Sequence, residues 1–204
     1  MNRFDTLAQG WDIAPIHLER TRALAAEIRK RFPLAGRHAL EVGAGTGLLS
    51  FALADELGLV VASDPSQGMI EVLRSKIITS GCSHIEAMQV GDDLAGIEAK
   101  FDLIMLQMAL HHIPDVPGFL SRAFDRLKPG GWIAIADLDT EDGSFHGPDV
   151  TDVHFGFDRT EIVKLTVTAG FAAPEIGTGH VMRRPMNGSF RDYPVFLLTA
   201  QRPF

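Results

Sequence analysis

Along most of the chain, short apolar runs alternate with stretches in which apolar residues recur every three or four positions. A continuous apolar run suits a strand buried on both faces, and the longer period suits a helix laid against it. Their alternation predicts a parallel sheet joined by crossover helices. Residues 15–31 read as a first helix, with Ile16, Leu24, Ala25 and Ile28 on one face. Residues 39–42 form a short strand that enters a glycine-rich turn, and 48–57 a helix ended by Gly58, since glycine accepts the left-handed conformation in which helices stop. A second strand spans 59–63, and after Asp64 and Pro65 the hydroxyl of Ser66 is placed to cap a helix carrying Met69, Ile70, Leu73 and Ile77. Strands at 85–90 and 101–106, a helix at 116–127, a turn at 128–131 and a fifth strand at 132–138 continue the series.

The pattern changes in the last third. Residues 141–156 are polar, carry glycines and lack periodicity, which marks a functional or flexible loop. Asp158-Arg159-Thr160-Glu161 then forms a capping box, with Phe157 set to staple on Ile162, and the helix runs to Gly170. Residues 174–181 and 193–200 read as two strands with no helix between them, so they must pair antiparallel, as a hairpin with a loop at 182–192.

Composition narrows the class. The 204 residues carry 19 Lys and Arg against 26 Asp and Glu, a formal charge of −7, which disfavours a chain built to coat phosphate backbones, and no nucleic-acid partner is expected. With 46% hydrophobic and 22% charged residues the composition is that of a globular protein, and the length suits one α/β domain. Cys82 is the only cysteine, which excludes an intramolecular disulfide and any multi-cysteine zinc site, and points to a reducing cytoplasm. Neither an apolar leader nor a membrane-spanning run is visible, so no membrane association is expected.

The chemistry concentrates at Glu41-Val42-Gly43-Ala44-Gly45-Thr46-Gly47, between the first strand and its helix, where glycines let backbone approach a ligand closely. Gly43 and Gly45 fit the first two positions of the dinucleotide fingerprint, but the third glycine is Gly47 and the expected position holds Leu48. Asp64, 21 residues after Gly43 at the end of the next strand, stands where a carboxylate grips ribose hydroxyls. A nucleoside ligand is therefore indicated; the alternative is a bare tight turn with Asp64 as a helix-entry residue.

With Asp64-Pro65-Ser66 and Met69, Gly91-Asp92, Phe101-Asp102-Leu103-Ile104, Leu110-His111-His112-Ile113 and Leu127-Lys128-Pro129-Gly130-Gly131, the chain from Phe4 to Leu138 resembles the class I S-adenosylmethionine (SAM)-dependent methyltransferases, in the small-molecule group with a methyltransferase-11-like core. The resemblance implies a Rossmann-like doubly wound sheet of about seven strands, mostly parallel, with an antiparallel C-terminal hairpin strand. It implies SAM as cofactor and S-adenosylhomocysteine as product, with the glycine loop (Glu41, Gly43, Ala44, Gly45, Gly47) facing the methionine moiety, which has no phosphate. By the same resemblance Asp64 binds the ribose hydroxyls, Asp92 or else Asp93 the adenine amino group with Asp92 preferred, Met69 packs on the adenine face, the Gln107 carbonyl meets the cofactor's amino group, and Pro65 is a further cofactor-binding residue. The Phe4-Asp5-x-x-Ala8-x-x-Trp11-Asp12 pattern resembles an N-terminal segment that folds over the cofactor cleft. One domain is expected: a helical lid at 1–32, a SAM-binding core at 36–140, and a substrate-side loop, helix and hairpin at 141–204.

Methyl transfer is an in-line displacement, so the protein must chiefly orient and desolvate the acceptor and, where needed, deprotonate it. His111 and His112, beyond the fourth strand, are the candidate catalytic bases; the alternative is packing near the cofactor. No metal is expected. Asp137 and Asp139 end the fifth strand and raise magnesium only weakly, and His146, Asp149, Asp152 and His154 lack metal-site spacing, so that loop reads as substrate-facing or solvated. Gln107-Met108-Ala109-Leu110 stands where amide methylation needs an Asn-Pro-Pro-aromatic run. Arg183, Arg184 and Arg191 read as a solvated cluster. The expected activity is methyl transfer from SAM to a small molecule, in a monomer or homodimer. The alternatives are an NAD-dependent oxidoreductase on the shared glycine turn, or a module that holds SAM or its product without catalysis.

Overall fold

The computed structural model describes residues 3–147, 150–186 and 188–204; the loop candidate Asp149 lies outside the described residues. Seven strands form one sheet in the order β3-β2-β1-β4-β5-β7-β6. The first five, β1 (His38–Val42), β2 (Leu59–Ser63), β3 (Ile85–Met88), β4 (Phe101–Gln107) and β5 (Leu127–Leu138), pair parallel, while β6 (Ala172–Met186) and β7 (Ser189–Gln201) close the edge antiparallel. This is the doubly wound sheet with a C-terminal hairpin that the sequence predicts.

The helices are α1 (Arg3–Leu7), α2 (Pro15–Arg31), α3 (Leu48–Leu53), α4 (Gln67–Ser80), α5 (Val116–Arg126) and α6 (Arg159–Thr168), with 3-10 turns at Ala8–Ile13 and Leu110–His112. Consecutive strand residues serve opposite faces. In β2, Val60 and Ala62 join the core beneath α2, α3 and α4, with Leu24, Leu53 and Leu73, whereas Val61 joins the core beneath α5 and α6, with Phe119 and Ile162. Burial on both faces explains why the central strands read as uninterrupted apolar runs. Ser66 caps α4 by accepting from Met69 N, and Asp158 caps α6 through Thr160 N and Glu161 N, each worth about 1 kcal/mol.

Four expectations are corrected. The helix expected over 48–57 stops after Leu53, and the third strand ends at Met88 rather than 90. The 128–131 turn is absorbed into β5, which begins at Leu127 with a register shift opposite β4. The expected hairpin loop at 182–192 is mostly ladder, because Met182 pairs with Tyr193 and pairing continues to Met186 with Ser189. Antiparallel strands can extend past the sheet edge when both faces are polar and wet, so alternation there gave no apolar signal.

Candidate functional site

The strand order reverses at β1, which lies between β2 and β4, and ligands of such sheets bind beyond the carboxyl ends of the strands there. A cavity of about 330 Å³ opens at that place. Its floor is the turn after β1: Glu41, Gly43, Ala44 and Gly45, followed by Leu48. Gly43 has φ +69, and a Cβ there would run into the Cβ of Ala109, so the β1 and β4 turns are packed against each other with no room for a side chain. Gly45 has φ +55, but a Cβ there would meet only Met69 Sδ at 3.8 Å and Trp11 Nε1 at 3.9 Å; its bare face belongs to the cavity.

The Glu41 carboxylate occupies the start of α3. Its Oε2 accepts from both the backbone amide and the hydroxyl of Ser50, in the first turn of α3. The positive end of that helix, where a pyrophosphate would lie, is already taken by a buried carboxylate. Burial raises Glu41 to about 7, the Ser50 hydrogen bonds working against that rise.

Asp64 closes the β2 side. One oxygen accepts from Gly45 N at 2.8 Å and the other from Ser66 N at 2.8 Å, so the carboxylate is fixed edge-on with lone pairs left for hydroxyls. Burial pushes its pKa up, opposed by the amides of Ser66 and Gly45. Pro65 and Met69 continue this wall, and Gly91 and Asp92 form the far side. Two expected residues are not cavity walls. Asp93 spends Oδ1 on Ala95 N in its own turn, and Gly47 serves packing, because a Cβ there would lie 2.5 Å from Leu73 Cδ1.

The opposite end of the cavity is built by the β4 and β5 termini with segments that sequence patterning did not connect. Gln107 donates to Thr21 Oγ1 at 2.9 Å, which leaves Oε1 buried without a hydrogen-bond partner among the described residues. Met108, at φ +56, holds a conformation that side chains avoid, the kind of strain found at ligand sites. Arg20 of α2 is 4% exposed, lines the cavity and has an unpartnered Nε. Desolvation lowers it to about 10, with Asp137 raising it, so it remains a cation at neutral pH. These free groups, a carbonyl oxygen and a guanidinium, fit the ammonium and carboxylate of an amino-acid moiety, and the Gly45 face and Asp64 fit a nucleoside.

Beyond them stand the histidines. His111 is 1% exposed, and Asp137 accepts from its ring Nδ1 at 2.6 Å and from its backbone amide at 3.2 Å. Its Nε2 has no hydrogen-bond partner among the described residues. Burial would push the Asp137 carboxyl up, but His111 and the Leu138 amide hold it below the usual carboxylate range. His112 packs edge-on against Phe4 with ring centroids 5.1 Å apart. Desolvation first, then His111 and His146, depress His112 to about 3, and the same burial with His111 depresses His146 to about 4. Both are neutral imidazoles at ordinary pH.

His146 reaches this place because the loop expected at 141–156 is pinned. His154 N donates to His111 O at 2.9 Å, Phe145 N donates to Glu141, and Ser144 meets the Tyr193 hydroxyl at 2.8 Å. Arg184 stacks on Phe145 and donates to its carbonyl, so it is a half-buried cavity wall and not part of a solvated cluster. Asp139 pairs bidentately with Arg159, at 2.7 and 2.8 Å, and does not meet Asp137. Asp137, Arg20, His146 and Arg184 are what the sequence reading missed as site residues. The adjacency of the β4 and β5 ends was a signal for Asp137; contacts of the loop and hairpin had none.

The N-terminal segment contributes Arg3, Phe4, Leu7 and Trp11 to the cavity lining. Asp5 accepts from Ser66 Oγ at 2.6 Å and Gly68 N at 3.1 Å, and Asp12 bonds Thr46 and Lys76. Phe4 and Trp11 stand over the cavity.

Comparison with known proteins agrees with this geometry. The family model described as a methyltransferase domain matches residues 39–131. Over this stretch the chain is similar to the methyltransferase domain family. It is 30% identical over 149 residues to a ubiquinone biosynthesis O-methyltransferase of Thiobacillus denitrificans, covering 70% of this chain and 64% of that protein. Against the Xylella fastidiosa enzyme of the same description it is 37% identical over 112 residues, covering 54% and 46%. The chain thus spans less than two thirds of these relatives. Among solved structures, phosphoethanolamine N-methyltransferase 2 of Haemonchus contortus, in complex with SAM, has TM-score 0.74 at 17% identity, covering 100% of this chain and 61% of that one. A SAM-dependent methyltransferase from Aquifex aeolicus has TM-score 0.64 at 20% identity, covering 87% and 89%. Among the described residues no helix is long and apolar enough to cross a membrane.

Proposed function

We propose that the protein transfers a methyl group from SAM to a hydroxyl of a small molecule, with His111 as the proton acceptor. The observation that supports this most directly is the buried His111 imidazole, whose Nδ1 is held by Asp137 while Nε2 faces the cavity without a partner. Asp64 and Asp92 would bind the ribose and adenine, Met69 and Pro65 would pack on the base, and Gln107 Oε1 and Arg20 would receive the ammonium and carboxylate. When bound, SAM supplies a methyl on a sulfonium and leaves as the thioether S-adenosylhomocysteine. His111 Nε2 takes the hydroxyl proton as the new C–O bond forms, and Asp137 stabilises the imidazolium that results. Phe4, Trp11 and the 3–14 segment exclude water, which favours attack by a nucleophile already in line. The hydroxyl acceptor is supported by the base, which an acceptor that must lose a proton requires, and by the O-methyltransferases among the relatives. The single free Cys82 fits a reducing compartment.

The oxidoreductase reading is disfavoured by Glu41 at the start of α3, since a pyrophosphate there would face a carboxylate. Calorimetry with SAM, S-adenosylhomocysteine and NAD, followed by a screen of phenols and other hydroxyl compounds with methyl-labelled SAM, tests the proposal. Binding of NAD with no SAM signal overturns it. SAM binding with no transfer to any acceptor would leave a cofactor-holding module instead.

A further inference from the structure

Three of the chain's eight histidines converge on the inner end of the cavity. One ligand nitrogen from each of His111, His112 and His146 lies within 4.8 Å of the other two. Ring centroids are 4.1 Å apart for His111 and His112, 4.9 Å for His111 and His146, and 5.4 Å for His112 and His146. The Nε2 atoms of both His111 and His146 are buried with no hydrogen-bond partner among the described residues. Two such nitrogens without a protein partner in adjacent rings carry an uncompensated desolvation cost. A cation that accepts nitrogen donors removes that cost at both.

We infer that His111, His112 and His146 form a three-imidazole site for a divalent transition ion of the zinc class, open toward the cavity. The ligand set decides the ion. Imidazole suits zinc, cobalt, nickel and copper, whereas magnesium and calcium need oxygen donors. Asp137 stands behind His111 on its Nδ1, the arrangement in which a carboxylate orients a metal-binding histidine and fixes Nε2 as its ligand atom. Zinc–nitrogen bonds of about 2.0–2.1 Å place tetrahedral ligands roughly 3.4 Å apart, so nitrogens that lie within 4.8 Å of one another need to draw in by no more than about 1.4 Å. His146 can supply most of this by side-chain rotation, since it lies in a loop and is not part of a ladder. Three protein ligands leave a fourth position, which faces the space assigned to the acceptor.

The ligation stands by itself, but its role rests on the proposed methyl transfer. In the metal-free chain His111 is the base. In the loaded chain His111 is a ligand, an acceptor hydroxyl takes the fourth position, and its proton passes to bulk buffer because coordination lowers its pKa. The acceptors favoured by such a site carry an ionisable hydroxyl able to bind the ion directly.

The test titrates the full chain, stripped with chelator, with Co(II) and then Zn(II) alone. One equivalent of Co(II) per chain should give the intense visible bands of a four- or five-coordinate nitrogen site, and Zn(II) should abolish them. His146→Ala should weaken binding at least tenfold with the circular dichroism unchanged, and Asp137→Asn by about 10–100-fold. Cys82→Ser is the necessary control, because Cys82 Sγ lies 3.6 Å from His84 Nε2 and offers a second soft pair on the surface. It should leave the bands unaltered. Bands that vanish in Cys82→Ser, or that persist in His146→Ala, overturn the inference. So does a protein silent to Co(II) that methylates at full rate in chelator, a result that would leave the methyltransferase proposal intact. Stoichiometric binding without methyl transfer to any acceptor would instead sustain the metal site and defeat that proposal.

Discussion

His111 Nδ1 and Asp137 Oδ1 lie 2.6 Å apart, one just past the end of β4 and the other near the end of β5, and neither side chain is more than 1% exposed. The pair fixes which ring nitrogen faces the cavity. Asp137→Asn keeps the shape but can offer the ring the wrong partner, so metal-free turnover is expected to fall about 10²–10⁴-fold. Binding of S-adenosylhomocysteine, measured by calorimetry, should change little. His111→Ala should lose turnover in the same range, and near-normal turnover in both variants across pH 5–8 would assign the pair to packing.

Asp64 is expected to hold the cofactor ribose. Asp64→Asn should weaken SAM binding by about 1.5–3 kcal/mol, the range for hydrogen bonds to a charged group, or roughly tenfold to 150-fold. Because Asp64 also accepts from Gly45 and Ser66, the melting temperature must be recorded alongside. An unchanged dissociation constant would reduce Asp64 to a loop brace.

The two turn glycines should separate into different phenotypes. Both pay left-handed strain on substitution by alanine, about 1 kcal/mol. Gly43→Ala adds overpacking against Ala109, a further 1–3 kcal/mol or so, and should show first in denaturant melts. Gly45→Ala fills cavity space, and its main effect should be on SAM affinity.

Glu41 gives stability a pH signature. Its folded pKa, about 7, lies above the ordinary 4.5. The folded state therefore holds the proton more tightly, and its contribution is complete below pH 4.5 and declines as pH rises to about 7. By linkage the loss is on the order of 3 kcal/mol. Urea melts of the cofactor-free protein at pH 5 and pH 8 should show it, and Glu41→Gln should flatten that part of the profile. Equal slopes in the two proteins would refute the assignment.

Removing residues 1–14 distinguishes a lid from a patch. A lid predicts a folded protein with weak cofactor retention and lost turnover. The Asp5 bonds to Ser66 and Gly68, on the helix that follows the ribose carboxylate, make the first outcome the expected one. Full turnover below a reduced melting temperature would show that Phe4 and Trp11 only cover the sheet.

Local rules carried much of this molecule. The order of strands and helices, the Ser66 and Asp158 caps and the β1 turn were readable because each is set by neighbours a few residues away. The length of the hairpin was not, since Met182 to Met186 pair along a wet edge and show no apolar period. Nor was the convergence of Arg20, Asp137 and His146, which lie on α2, β5 and a loop and meet only through the sheet order. Asp137 and His111 are 26 residues apart in the chain, and no spacing rule joins them.

The cavity walls divide along the chain. Those assigned to the cofactor come almost wholly from residues 41–112, inside the stretch that matches the methyltransferase family, whereas Phe145, His146, Met182 and Arg184 lie outside it. The division predicts that altering the loop and one edge hairpin changes the recipient while the donor's place stays as it is. A chimera that receives residues 139–186 of another enzyme of this fold should keep its own affinity for SAM and take on the donor enzyme's preference among recipients.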